Sequence, residues 1–174
     1  LSVKAQASNG GNVTIAGKLL GQAGADTDIV ASGTISVGQE VSNSGDMLIN
    51  ASEIILADVS NVGTVQENAS LEISSLFDNT GKIVIDGNVV NTNGVLEIQA
   101  KEVTVNGFIK NNSGTLNFVA SDTAGGAVQL NGGLDVVGGV VNLNALAGSA
   151  VLGGALTVSN GNLNLGSGLY NLDV

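Results

Sequence analysis

The sequence predicts an all-β fold, a parallel β-solenoid of roughly eight to nine coils of about 18–22 residues each. The whole of residues 1–174 reads as a single such domain, whose coils change character near residue 120. Three observations predict it. Short segments alternate apolar and polar residues, a glycine stands just before most of them, and an asparagine–glycine motif returns at a nearly fixed spacing.

The alternation runs through Val13-x-Ile15, Ile35-x-Val37, Met47-x-Ile49, Leu71-x-Ile73, Ile83-x-Ile85, Leu96-x-Ile98 and Val103-x-Val105. It continues in Leu116-x-Phe118, Val128-x-Leu130, Val141-x-Leu143, Leu156-x-Val158 and Leu163-x-Leu165. A period of two places one set of side chains inward and the other outward, as in half-buried strands. A helix needs apolar residues at i, i+3, i+4 and i+7 over a longer run with little glycine, and no segment supplies one.

Glycine lies two residues before the first inward side chain at Gly11, Gly33, Gly45, Gly81, Gly94, Gly114, Gly126, Gly139, Gly154 and Gly161. There it permits a left-handed turn into the strand. The stricter motif is Val41-x-Asn43-x-Gly45, Val59-x-Asn61-x-Gly63 and Phe77-x-Asn79-x-Gly81, three copies at one constant spacing. Looser copies follow at Asn93-Gly94 and Asn112-x-Gly114. Asn43, Asn61, Asn79 and Asn112, with Gly45, Gly63, Gly81, Gly94 and Gly114, are therefore expected at turns. Their amides are expected to bond to the copy one coil away and form a ladder along the rod.

Composition fits a narrow apolar interior. Hydrophobic residues make up 43% of the chain but aromatic ones only 2%, so burial falls to Val, Ile, Leu and Ala. A net charge of −10 with every basic residue a lysine argues against a nucleic-acid partner, whose phosphates call for many cations. No apolar run is long enough for a transmembrane helix. The opening LSVKAQASNG has no signal-peptide layout, which suits a mature product or a piece of a longer protein. The absence of cysteine suits a protein that crosses membranes unfolded, since early disulfides hinder that route.

From Asn111 to Val174 the charged side chains are Asp122, Asp135 and Asp173 alone, amid Gly-Gly pairs at 125–126, 132–133, 138–139 and 153–154. Tighter coils or an altered cross-section are expected there. A surface so poor in charge loses a usual guard against β-association. Self-association through these coils or through the solenoid ends is accordingly an expectation.

Residues 33–63, GTISVGQEVSNSGDMLINASEIILADVSNVG, resemble the haemagglutinin-type repeats of filamentous haemagglutinin and related bacterial exoproteins. Glycine-led strands, a V-x-N-x-G turn and a period of about 20 residues carry the resemblance, best over residues 33–118. The later coils look more like autotransporter passengers. The resemblance implies a right-handed parallel β-helix, export across an outer membrane and a role as adhesin stalk or surface fibre. The family's amino-terminal secretion motif is not found, and without arginine no integrin-type tripeptide exists, so the resemblance supplies no host receptor.

Catalytic vocabulary is thin. Without His or Cys, nucleophilic triads and zinc sites fail. Asp26 and Asp28, with Asp46 one coil on, read as a solvated acidic turn, and Lys82 with Asp86 or Lys101 with Glu97 and Glu102 as exposed charges. Of the rings Phe77, Phe108, Phe118 and Tyr170, Phe108 and Phe118 read as core. The expectation is a rod without enzymatic activity, cofactor or metal, extracellular or on the cell surface, whose ligand the sequence does not name. A self-assembling extracellular filament or surface-layer subunit is the alternative, and a polysaccharide lyase-like enzyme the remote one.

Overall fold

The computed structural model describes residues 2–5, 10–62, 70–75, 81–120 and 125–173. Every strand pairing among them is parallel and joins one coil to the next, so the chain is a β-solenoid. The first three coils are β1 (Ser2–Ala5), β2 (Val13–Ile15), β3 (Leu19–Gly21); β4 (Asp26–Ala31), β5 (Thr34–Val37), β6 (Val41–Asn43); and β7 (Asp46–Asn50), β8 (Glu53–Leu56), β9 (Val59–Val62). Next come β10 (Ser70–Ser75), β11 (Lys82–Ile85), β12 (Val89–Asn93), then β13 (Val95–Ala100), β14 (Glu102–Val105), β15 (Ile109–Asn111). The remaining strands are β16 (Thr115–Ala120), β17 (Ala127–Leu130), β18 (Leu134–Ala145), β19 (Ser149–Gly153), β20 (Leu156–Leu165) and β21 (Leu169–Asp173).

Each coil thus has three faces. The first carries β1, β4, β7, β10, β13, β16 and the second halves of β18 and β20; the second carries β2 through β21 in an eight-stranded sheet. The third carries β3, β6, β9, β12, β15 and the first halves of β18 and β20.

Six full turns separate Leu19 from Leu156 on the third face, and the final coil has strands on the first two faces only. The count differs slightly from the expected eight to nine coils. On the second face the register carries Val13 to Ile35, Ile54, Ile83, Val103, Val128, Ala150 and Tyr170. The two longest of these steps, Ile54 to Ile83 and Val103 to Val128, contain 63–69 with 76–80, and 121–124. Because Ile54 pairs directly with Ile83 and Val103 with Val128, each of these longer sequence intervals is a single coil step. At about 4.8 Å per coil, seven steps give a rod roughly 34 Å long.

The interior is built of columns of like residues. Ile29, Ile49, Ile73, Ile98, Phe118 and Leu143 stack on the first face, and Val41, Val59, Val89, Ile109 and Leu134 on the third, all buried. Such side chains contribute about 1.5–3 kcal/mol each on full burial. The turn from the first face to the second admits only small residues: Ser75, Ala100, Ala120 and Ala145 are in register and buried.

The coils beyond residue 120 are not tighter. The step from Val128 to Ala150 equals that from Val13 to Ile35, and the step from Ala150 to Tyr170 equals that from Ile83 to Val103. What changes is a corner. Before residue 120 the third face breaks before the first face of the next coil, whereas β18 and β20 run through that corner as strands of 12 and 10 residues.

Candidate functional site

In the V-x-N-x-G segment the V-x-N part is strand, and in the first copy the chain bends only at Ser44 and Gly45. Val41 and Asn43 both point inward from β6, and Val59 and Asn61 from β9 in register above them. Only one member of each inward pair is apolar, so the polarity pattern does not mark a strand. Asn43, Asn61, Asn91 and Asn111 form a column of wholly buried amides.

The column is one hydrogen-bonded chain. The Nδ2 of Asn43 donates to Oδ1 of Asn61 at 3.2 Å, that of Asn61 to Oδ1 of Asn91 at 3.1 Å, and that of Asn91 to Oδ1 of Asn111 at 2.8 Å. The same nitrogens satisfy corner carbonyls. Asn43 reaches the Gly45 carbonyl at 2.8 Å, Asn91 those of Ser113 and Thr115 at 3.1 and 3.2 Å, and Asn111 that of Gly138 at 2.7 Å. The ladder starts above Gly21, where an added Cβ would collide with the Asn43 amide, and ends at buried Val136.

Asn112 lies one residue beyond the ladder position that Asn111 fills, and Asn91 continues the column above Asn61 where the constant spacing of the motif points to Asn79. Asn79 and Gly63 lie outside the described residues, as does Phe77. The signal for the missing rungs is present as Val89-x-Asn91 and Ile109-x-Asn111, a β-branched residue two before each asparagine.

The glycines serve two ends. Gly94 and Gly114 have φ of 94° and 74°, a left-handed backbone. Gly45 and Gly81 do not; a Cβ at Gly45 would strike the carbonyl oxygens of Gln22 and Ala25, and one at Gly81 that of Ser75. Close approach of the backbone, from the preceding coil at Gly45 and from the end of β10 in the same coil at Gly81, requires glycine at these two rather than turn handedness.

Other residues singled out by sequence scatter. Asp26 and Asp46 stack in register, but Asp28 stacks on Leu48. Lys82 is in register with Glu53 and Glu102, whereas Asp86 accepts the amide of Asn106 at 3.1 Å. Among the described residues no group of three acidic, histidine or cysteine side chains is placed to hold a metal ion. Phe118 is buried, but Phe108 is 40% exposed, contrary to its reading as core, because it occupies the corner before β15. Tyr170 packs on the core and donates to the Leu143 carbonyl at 2.8 Å.

A groove opens at the corner between the second and third faces. It holds about 570 Å³ and is lined by Lys18, Glu40, Asp58, Ser60, Asn88 and Val90, among others. Its cause is a deletion in the repeat. Three residues join the second-face strand to the third-face strand at 16–18, 38–40, 86–88, 106–108 and 131–133, but only Ala57 and Asp58 join β8 to β9. The surface is cut back by one residue there, leaving a notch between its neighbours. Asp58 Oδ1 accepts the Asn88 N–H at 2.7 Å, and Asn88 Oδ1 accepts the Phe108 N–H at 2.9 Å. Lys18 and Glu40 form an ion pair of 3.0 Å at the other end.

The molecule belongs to the class of parallel β-solenoids on its own geometry. Comparison with family models, with curated proteins and with solved structures found no match.

Proposed function

We propose that the chain is a non-catalytic structural and adhesive rod, a segment of a secreted or surface-exposed bacterial exoprotein. The observation that carries this reading is the continuity of the stack. Inward columns and the asparagine ladder run coil to coil, so stiffness along the axis is what the sequence repeatedly provides. The haemagglutinin-type grammar of residues 33–118 and the absence of cysteine support export. Antibody raised against the chain should label intact cells of the source bacterium as strongly as permeabilised ones; label confined to permeabilised cells would overturn surface placement.

One observation favours a self-assembling filament as the second reading. From Asn111 to Val174 the charged side chains are Asp122, Asp135 and Asp173 alone, and charge is a usual guard against β-association. A filament reading requires association to rise with concentration, which the rod reading does not.

A further inference from the structure

The corner groove sits where one residue is missing from an otherwise regular three-residue corner. Along the rod axis it brings together, one coil apart, the residue just before each third-face strand: Lys18, Glu40, Asp58, Asn88 and Phe108. Backbone bonds fix that alignment, since Leu19, Val41, Val59 and Val89 N–H groups donate to the carbonyls of Glu40, Asp58, Asn88 and Phe108. From Glu40 to Phe108 is three coil steps, about 14 Å at roughly 4.8 Å each.

The chemistry of this row is mixed. Lys18 and Glu40 neutralise one another, while Asp58 and Asn88 each hold a neighbouring N–H on Oδ1, which fixes their orientation. Ser60 adds a hydroxyl and Val90 an apolar wall, and one coil beyond Asn88, outside the lining itself, Phe108 exposes a ring. Donors and acceptors together beside an apolar surface, with one carboxylate in excess of the paired charges, suit a ligand that itself alternates hydroxyls with C–H faces. The coil spacing is close to the length of one sugar ring in an extended chain.

We infer that this groove binds a neutral glycan lying along the rod axis, with Phe108 stacking on one ring and Glu40, Asp58, Asn88 and Ser60 meeting its hydroxyls. An anionic polymer is disfavoured by Asp58 and by the chain's net charge of −10. The inference rests on reading the chain as a binding rod rather than an enzyme.

The test is titration of the ¹⁵N-labelled full chain with cellohexaose and, separately, with a heparin-derived hexasaccharide. Cellohexaose is expected to shift the amides of Lys18, Glu40, Ser60, Asn88 and Phe108. Phe108→Ala should weaken binding about ten-fold through lost stacking, and Ser60→Trp, which fills the notch, should abolish it. Both side chains lie at the surface, so each variant independently tests the site if the other loses the wild-type circular dichroism. No shift up to millimolar cellohexaose, shifts unchanged by either variant, or a response to the heparin fragment alone overturns the inference. Cellohexaose that binds there and is then cut upholds the site and overturns the non-catalytic reading; absence of binding leaves that reading standing.

Discussion

Replacing Asn91 by valine probes the buried ladder at its middle. Its amide accepts from Asn61 at 3.1 Å and donates to Asn111 at 2.8 Å, with further bonds to the Ser113 and Thr115 carbonyls. Asn61 keeps the Asn93 and Val95 carbonyls at 3.4 and 3.1 Å, so its nitrogen is not stranded. Asn111 Oδ1, wholly buried, loses the amide that reaches it. Two amide–amide bonds at about 1 kcal/mol net each, with about 1–3 kcal/mol for the stranded acceptor, give a loss of roughly 3–5 kcal/mol. The control is Asn142→Ala in the partly exposed outer ladder, where Asn142 donates to Asn117 at 2.8 Å and accepts from Asn164 at 2.9 Å. Water replaces those partners, so that change should cost about 1 kcal/mol or less. Urea unfolding followed by circular dichroism gives both values, with similar slopes expected. Equal losses in the two variants would refute the claim that the buried amides, rather than asparagine as a residue type, hold the coils in register.

The end of the ladder should be more forgiving: Asn111→Val, which copies Val136 in the next coil, is expected to cost about 2 kcal/mol less than Asn91→Val in the same urea assay. Gly114→Ala combines a left-handed φ of 74° with collision against the Gly94 carbonyl and should lower stability by more than about 2 kcal/mol, while Gly17→Ala, whose added Cβ meets nothing within 4 Å, should change it by less than about 1 kcal/mol. Enlarging the small-residue corner with Ala120→Leu should cost about 1–3 kcal/mol or more through overpacking, read as a fall in thermal midpoint. Lys18→Ala should leave stability within about 1 kcal/mol, because its ion pair with Glu40 is exposed.

The first and second faces were legible because both inward residues of most strands are apolar, as in Ile83-x-Ile85 or Leu96-x-Ile98. The third face was not. Its strands are short, and their second inward residue is Gly21, Asn43, Asn61, Asn91 or Asn111, which a polarity pattern assigns to a turn. A buried amide is indistinguishable from a turn amide until its partners in neighbouring coils are known. The constant spacing of the V-x-N-x-G motif matches the register for one step only, from Val41 to Val59. The following step on that face, from Val59 to Val89, is far longer and contains 63–69 and 76–80. The groove was illegible for a related reason: a one-residue deletion at Ala57–Asp58 appears only when each coil's corner is aligned by register rather than by sequence distance. Phe108 was misread because a ring after Gly107 looks like the start of a strand, whereas Ile109 is the first inward residue.

Electron microscopy and sedimentation of the full chain across a concentration series test the proposed rod most directly. Short unassociated particles at every concentration are the predicted result; filaments that lengthen with concentration and repeat at about 4.8 Å would contradict it and make self-assembly the function.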